Sequence, residues 1–428
     1  MKLFQQMLVA GATLSLLAPI AAQASDIVNI EGINSYARSR KKKPLKFDNK
    51  TFANDISDVA NLKGGSNGLG VQRNQFEAGT FSDTTTFDGK AVAWIGSVDG
   101  GDEIAGGSES TSTGYTYTWN LNTSFSGDDN LYVRLKTGEQ GTQWKTQPTY
   151  HIETKDNSDA FEMDKIWYTF PVGDKVTAFV GPRIENYYMY ITPSIYKPGA
   201  LKSFKLGGNS NFGASTDVGA GFKFELDNGF GFASNIVDKG ADAANGILEA
   251  DNKVKWDTQL AYTTDRWHVS GTLSTARNWT SHSYNATAKG AQSAKDSVGI
   301  ALRSYWIPEE TGTIVPEVSF GYDTKSYGTV SVEGNTTEAD SYMVGFTWKD
   351  IFRGDDRIGF AVTQPLAATE VQGGGPTSEV DPQIWEAYYS FRPNDAMEIT
   401  PAVFGGSNTY ADNDDDLFGM LITSKFKF

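Results

Sequence analysis

The chain of 428 residues has no cysteine and only three histidines, His151, His268 and His282. The first absence excludes disulfide frameworks, thiol nucleophiles and cysteine-ligated metal. The histidines are dispersed and show no H-E-x-x-H spacing, so neither a zinc site nor a Ser-His-Asp triad has a foundation, and no cofactor is expected. Proline is sparse, 14 residues against 45 glycines, a balance that suits strands and tight turns. Basic residues are in deficit: 37 Lys and Arg against 52 Asp and Glu leave a net charge of -15, the wrong sign for a nucleic-acid partner. Beyond residue 25 no apolar run approaches the ~20 residues a membrane helix requires. Mean hydropathy is -0.40, which would fit a soluble exported protein. One class escapes that inference, because a transmembrane barrel alternates lipid-facing apolar with lumen-facing polar residues and so averages like a soluble chain.

What is present begins with an export signal. Lys2 precedes an apolar stretch from Met7 to Ile20, and Ala22-Gln23-Ala24 supplies a small-residue cleavage site, so residues 1–24 are expected to be a signal peptide. Residues 25–80 form a short N-terminal periplasmic segment in this reading. It carries the basic run Arg38, Arg40, Lys41, Lys42 and Lys43, one helical spacing at Phe52, Ile56, Val59 and Leu62, and a Gly-rich linker.

From Thr84 onward the pattern changes to period 2, the strand signature. Tyr115, Tyr117, Trp119, Leu121 and Phe125 alternate with Thr116, Thr118, Asn120, Asn122 and Ser124; at the C-terminus Phe418, Met420, Ile422, Phe426 and Phe428 alternate with Gly419, Thr423, Lys425 and Lys427. The connections alternate as well. Short turns at 127–130, 171–174, 227–229, 264–265, 308–312, 349–356 and 392–395 interleave with long polar stretches at 96–113, 138–160, 182–213, 238–252, 277–296, 323–339, 364–382 and 405–417. Seven short and eight long connections imply about 16 strands with both ends on the short-turn side. The expected fold class is all-β, a transmembrane antiparallel β-barrel over residues 81–428, set in outer-membrane lipid and lipopolysaccharide.

Specific residues also resemble a family. Asn74-Gln75-Phe76 with Phe81 to Gly89, Asp164 to Lys175 with Val180-Gly181-Pro182, Phe346 to Phe352, Gly359 to Pro365, and Ala387 to Phe391 with Ile399-Thr400-Pro401 are similar to cyanobacterial outer-membrane porins. That is the "iron uptake porin" group related to the carbohydrate-selective porin family, and Asn34-Ser35-Tyr36 looks like its marine picocyanobacterial branch. The resemblance covers roughly residues 74–428. It implies a homotrimeric channel for passive diffusion of small hydrophilic solutes, ions, sugars or iron species among them. Residues 26–73 are too short for the S-layer-homology domain and coiled coil usual in the family. The alternative is a non-channel structural or carbohydrate-binding β-protein of the envelope.

Two sets of residues are candidates for function. A wide lumen needs a loop folded inward to set its cutoff, and the third long loop offers Arg183, Glu185, Tyr187, Tyr188, Tyr190, Tyr196 and Lys197 as that constriction. Alternation places Arg134, Lys136, Lys223, Lys253, Lys255, Arg303, Arg392, Lys425 and Lys427 inside, against Glu225, Asp257, Glu317, Glu386 and Glu398, a basic lumen in an acidic protein. The run from Arg38 to Lys46 is either a solvated linker or an anchor to peptidoglycan or another anionic wall polymer. Asp412 to Asp416 lacks the glycine and glutamate of a calcium loop and is expected to be an acidic outer loop.

Overall fold

The computed structural model describes residues 84–100, 109–145, 148–191, 194–208, 216–240, 246–278, 296–328, 332–374, 382–407 and 416–428. The signal peptide, the basic run, His282 and Asp412 to Asp415 lie outside the described residues. Sixteen strands run in order: β1 (Thr85–Asp99), β2 (Ser112–Thr123), β3 (Asn130–Glu139), β4 (Glu162–Val172), β5 (Val176–Glu185), β6 (Thr216–Glu225), β7 (Phe230–Lys239) and β8 (Lys253–Thr263). The second half comprises β9 (Trp267–Arg277), β10 (Asp296–Trp306), β11 (Glu317–Gly328), β12 (Thr336–Lys349), β13 (Arg357–Val371), β14 (Gln383–Asn394), β15 (Met397–Ser407) and β16 (Leu417–Lys427). Each pairs antiparallel with its sequence neighbours, and β1 pairs with β16 from Lys90↔Lys427 to Asp99↔Phe418, closing the barrel. Closure leaves no edge strand with unpaired amides, which is what a bilayer demands.

Alternation decides the two faces. On β8 to β10 the outward side chains Trp256, Leu260, Val269, Leu273, Ile300 and Leu302 are exposed, while inward Asp257, Gln259, His268, Thr272 and Arg303 are buried. The strand register therefore puts an apolar belt outside and polar groups inside, as the sequence pattern predicts. The seven short turns fall where that pattern places them, as do six of the long connections; the expected stretches 323–339 and 364–382 shrink to 329–335 and 372–382, because β11, β12 and β13 run on into them.

Near the short-turn end the outer face is aromatic: Phe230, Tyr262 and Trp267 pack together, as do Phe87, Trp119 and Phe428. Two of the short turns repeat one device. Phe125-Ser126-Gly127-Asp128-Asp129 and Phe352-Arg353-Gly354-Asp355-Asp356 share the spacing F-x-G-D-D. In each the last aspartate gathers backbone amides of the turn, Phe125 and Ser126 in one, Ile351, Phe352 and Arg353 in the other. Each also accepts a tyrosine hydroxyl from a neighbouring strand, Tyr168 at 2.5 Å and Tyr389 at 3.0 Å. Burial opposes the charge, but these donors outweigh it and hold both carboxyls below the usual aspartate range. The turns are thus closed by the residue types they carry, and their phenylalanines stand outward beside Tyr168 and Tyr389.

Candidate functional site

Loop L3, between β5 and β6, leaves the wall at Asn186 and crosses the barrel. A short 3₁₀ turn, Asn186–Met189, packs on β6 and β7, where inward Gly221 makes room for Met189. Tyr190 donates to Asp257 of β8 at 2.5 Å, and the Ile191 amide donates to Gln259 at 2.8 Å. Ser194 meets Ser319 of β11 at 2.8 Å. The chain then reaches β14, where the carboxylate of Glu386 accepts four hydrogen bonds: from Tyr196 and the Gly199 amide at 2.9 Å on Oε1, and from the Ala200 and Leu201 amides at 3.1 and 2.9 Å on Oε2. A second 3₁₀ segment, Lys202–Gly207, turns back. Its Phe204 is buried with Met343, Ala361 and Ile384, and its Leu206 carbonyl accepts from Arg303 Nε at 2.7 Å. Gly207, at φ 73°, sits so close to Gly321 of β11 that a Cβ there would overlap its carbonyl. A segment that contacts β7, β8, β10, β11, β12 and β14 from one side can only lie within the lumen.

A second inward loop escaped the sequence reading. L2, between β3 and β4, buries Trp144 against Phe404 of β15, with its indole N–H on Ser112 at 2.7 Å. His151 packs tilted against Trp94 of β1, with ring centres 4.4 Å apart, and faces Thr423 of β16 at 3.4 Å. Burial pushes the imidazole down to about 3, so it stays neutral. L2 and L3 join as a short antiparallel bridge: Leu201 opposes His151, the Ile152 amide donates to the Ala200 carbonyl, and the Lys202 amide donates to Tyr150, both at 2.8 Å. A tryptophan and a histidine in an otherwise polar loop are the only trace of this in the sequence.

The charges divide into anchors and lining. Arg303 pairs with Asp323 at 2.8 Å and Lys255 with Asp257 at 3.5 Å, both deep under L3; Lys223 pairs with Glu225 near the short-turn mouth. Along β1 and β13 to β16 a chain of ion pairs links Lys90, Glu153, Lys425, Glu398, Arg357 and Arg392 at 3.0 to 3.6 Å. Burial opposes the charge on Glu153, yet Lys90 and Lys425 hold its carboxyl well below the usual range. On the β3 to β5 side, Lys165 reaches Glu185 at 3.2 Å, and Arg134 donates to Asn120 and Tyr188. Lys136 and Lys202 both end on Thr154 of L2, and Lys205 donates to Tyr187 at 3.1 Å.

Of the residues expected at the constriction, Tyr187, Tyr188 and Tyr190 share one cluster, with Glu185 next to them in sequence on Lys165, whereas Tyr196 lies at the far wall on Glu386. Lys197 contributes its carbonyl, which accepts from Tyr388 at 2.5 Å. Arg183 is not brought there: register shifts between Gly181 and Ile184 and between Ile166 and Tyr168 keep it in β5, where it is exposed. Ile184 turns inward instead, into a cluster with Tyr132, Trp167 and Phe179. Lys90, Lys165, Lys202, Lys205 and Glu153 are lining residues that the strand reading did not name; Lys202, Lys205 and Glu153 lie in loops, and Lys165 sits beside a bulge between β3 and β4.

A closed sixteen-stranded barrel with an apolar exterior and a charged interior narrowed by loops is a multi-pass transmembrane barrel with the fold of outer-membrane porins. No family model matches the chain. It is 24% identical over 415 residues to the uncharacterized protein alr4550 of Nostoc sp., covering 86% of this chain and 70% of that one. Against the uncharacterized protein sll0772 of Synechocystis sp. it is 25% identical over 360 residues, covering 75% of this chain and 64% of that one, so it spans less than two thirds of that relative. In structure it is similar to Pseudomonas putida OprB, with a TM-score of 0.55 at 10% identity, covering 81% of this chain and 94% of that one. It is also similar to an anion-selective porin from Comamonas acidovorans, with a TM-score of 0.51 at 11% identity, covering 81% and 99%.

Proposed function

We propose that the protein is an outer-membrane porin through which small hydrophilic solutes diffuse passively, with L3 and L2 together setting the cutoff. The observation that carries this is the path of L3 from β5 to Glu386 on the far wall, fixed at both ends by buried hydrogen bonds. A carbohydrate-binding or purely structural barrel has no use for a loop that subdivides its own interior. The basic residues of the remaining passage favour anions over cations, the same sense as the named selectivity of the Comamonas porin. Diffusion requires no covalent step. His268, the one inward histidine on a strand among the described residues, is stacked on Tyr305 at 5.1 Å and hydrogen-bonded to Thr263, a packing role.

The homotrimer implied by the family resemblance, lipopolysaccharide contact at the outer loops, and wall binding by Arg38 to Lys43 belong to the same reading. The test is single-channel recording in a planar bilayer. Discrete openings are expected, with a conductance well below that of a sixteen-stranded barrel without inward loops. Failure of the folded protein to conduct would remove the proposal.

A further inference from the structure

On the outer face, at the short-turn end, the β8–β9 turn is stitched to the start of the β10–β11 connection. The Ile307 amide donates to the Arg266 carbonyl at 2.6 Å, and Arg266 Nε donates to the Ile307 carbonyl at 3.2 Å. Trp267 and Trp306 oppose each other across β9 and β10 and both stand outward, 45% and 38% exposed. Beside them lies an open groove of about 430 Å³, lined by Thr264, Asp265, Arg266, Trp267 and Trp306. Thr264 closes the turn: its Oγ1 accepts from the Trp267 amide at 3.0 Å and the Arg266 amide at 3.3 Å, and donates to the Trp267 carbonyl at 3.1 Å. The Arg266 guanidinium lies 5.7 Å from the centre of the Trp306 ring and 3.5 Å from Glu309. Higher on the same strands Val269 and Leu302 are exposed members of the apolar belt, but their outward partners Ser304 and Gly271 are small. A Cβ at Gly271 would touch only Leu302, so a shallow furrow continues from the two indoles into the belt.

Aromatic residues alone would be explained by the interfacial belt of a membrane barrel. A recess that also gathers an arginine and carboxylates is not. The charges decide what it can hold, for one guanidinium stands here among Asp265, Glu309 and Glu310, all three exposed. A phosphate headgroup would meet those acids, and a bare ammonium would meet the guanidinium. A neutral ligand rich in hydroxyls meets neither conflict, because carboxylate oxygens accept its O–H groups while the guanidinium donates to its oxygens. Five N–H groups let Arg266 do so without leaving Glu309. The indoles supply flat apolar faces on which the C–H face of a pyranose ring can be buried. Position then selects the source of the sugar: the furrow leads from the groove into hydrocarbon, which suits a headgroup carried on acyl chains in the inner leaflet and offers nothing to a soluble glycan.

We infer that the groove between the β8–β9 and β10–β11 turns binds a membrane glycolipid with a neutral sugar headgroup. The pyranose packs on Trp267 and Trp306, its hydroxyls meet Asp265, Arg266 and Glu309, and an acyl chain follows the furrow past Ser304 and Gly271. The site faces lipid and is independent of the channel reading. The test titrates the full protein, in a zwitterionic detergent that carries no sugar, with monohexosyl diacylglycerol, with phosphatidylglycerol of the same chains, and with a soluble glycan fragment, and counts retained ligand by native mass spectrometry. Saturable binding of the hexosyl lipid is expected, about tenfold tighter than that of the phospholipid, equivalent to ~1.4 kcal/mol. The variant Asp265→Asn, Trp306→Leu should lose that preference. Trp348→Leu, which removes another outward tryptophan, one that donates to the Ile314 carbonyl, should keep it. A shift in electrophoretic mobility on boiling confirms that each variant is folded. Equal or tighter retention of the phospholipid, equal binding by wild type and the double variant, or a soluble glycan that binds as tightly as the lipid would overturn the inference.

Discussion

Glu386 shows what a side chain's direction does and does not reveal. Strand alternation correctly turns it toward the lumen, where it would count as a charge facing permeating ions. Its two oxygens are instead filled by three backbone amides and a phenol of L3, so it fastens the loop and presents no carboxylate to solute. Arg303 is used in the same way, between Asp323 and the Leu206 carbonyl. Hydrogen bonds to a charged group contribute ~1.5–3 kcal/mol each, and donors left buried without an acceptor cost about 1–3 kcal/mol each. Glu386→Ala should therefore free the Tyr196 to Leu201 stretch while the barrel persists. Larger and noisier single-channel openings are expected, with a lower thermal midpoint by circular dichroism. Wild-type conductance and noise would mean that Phe204 and Leu201, packed among Met343, Ala361 and Ile384, hold the loop without the carboxylate.

At the scale of elements, what was legible in the sequence is what repeats. Period-2 patterning and the alternation of short and long connections locate every strand, because each lipid-facing residue answers to the same solvent. Bulges were not legible, since one extra residue in β5 leaves composition unchanged while turning Ile184 in and Arg183 out. The inward fold of L2 was hidden for another reason: its partners Trp94, Phe404 and Thr423 lie on β1, β15 and β16, distant in sequence. The joint between L2 and L3 is open to direct test because the chain has no cysteine of its own. His151 and Leu201 oppose each other in a pair flanked by, not sharing, hydrogen bonds, the arrangement that brings Cα atoms to about 4.5 Å and suits a disulfide. The variant His151→Cys, Leu201→Cys should oxidise spontaneously, with a gel shift reversed by reductant. Two free thiols after oxidation would show that L2 and L3 do not meet in the membrane.

The whole molecule separates its charge by place. The overall balance is -15, yet the passage beside L2 and L3 is basic, and acidic residues such as Asp227 and Glu309 stand in exposed turns. Exposed charge is screened beyond about 8 Å at physiological ionic strength, whereas charge ringing a narrow lumen acts on an ion at close range. A weak anion preference is therefore expected in spite of the net charge, read as the zero-current potential across a bilayer under a salt gradient. Lys223, Lys255 and Arg303 are poor places to reverse it, since each is paired with a carboxylate and Arg303 also secures L3; Lys136→Glu with Lys202→Glu is the decisive pair. Alkaline pH provides an independent axis. Burial, then the neighbouring ammoniums of Lys136 and Lys205, push Lys202 well below the ordinary lysine range, with Glu185 and Glu153 pulling the other way. Lys202 is charged only below its own titration point. Anion preference should accordingly decline as pH rises, at a pH below the ~10.4 of a free lysine. Tyr187, which donates no charge to this balance, stays protonated throughout, because burial and then Glu185 raise its phenol. Cation preference in the wild type, or a potential that neither the double reversal nor alkaline pH moves, would mean that the outer loops and not the lumen wall govern which ions pass.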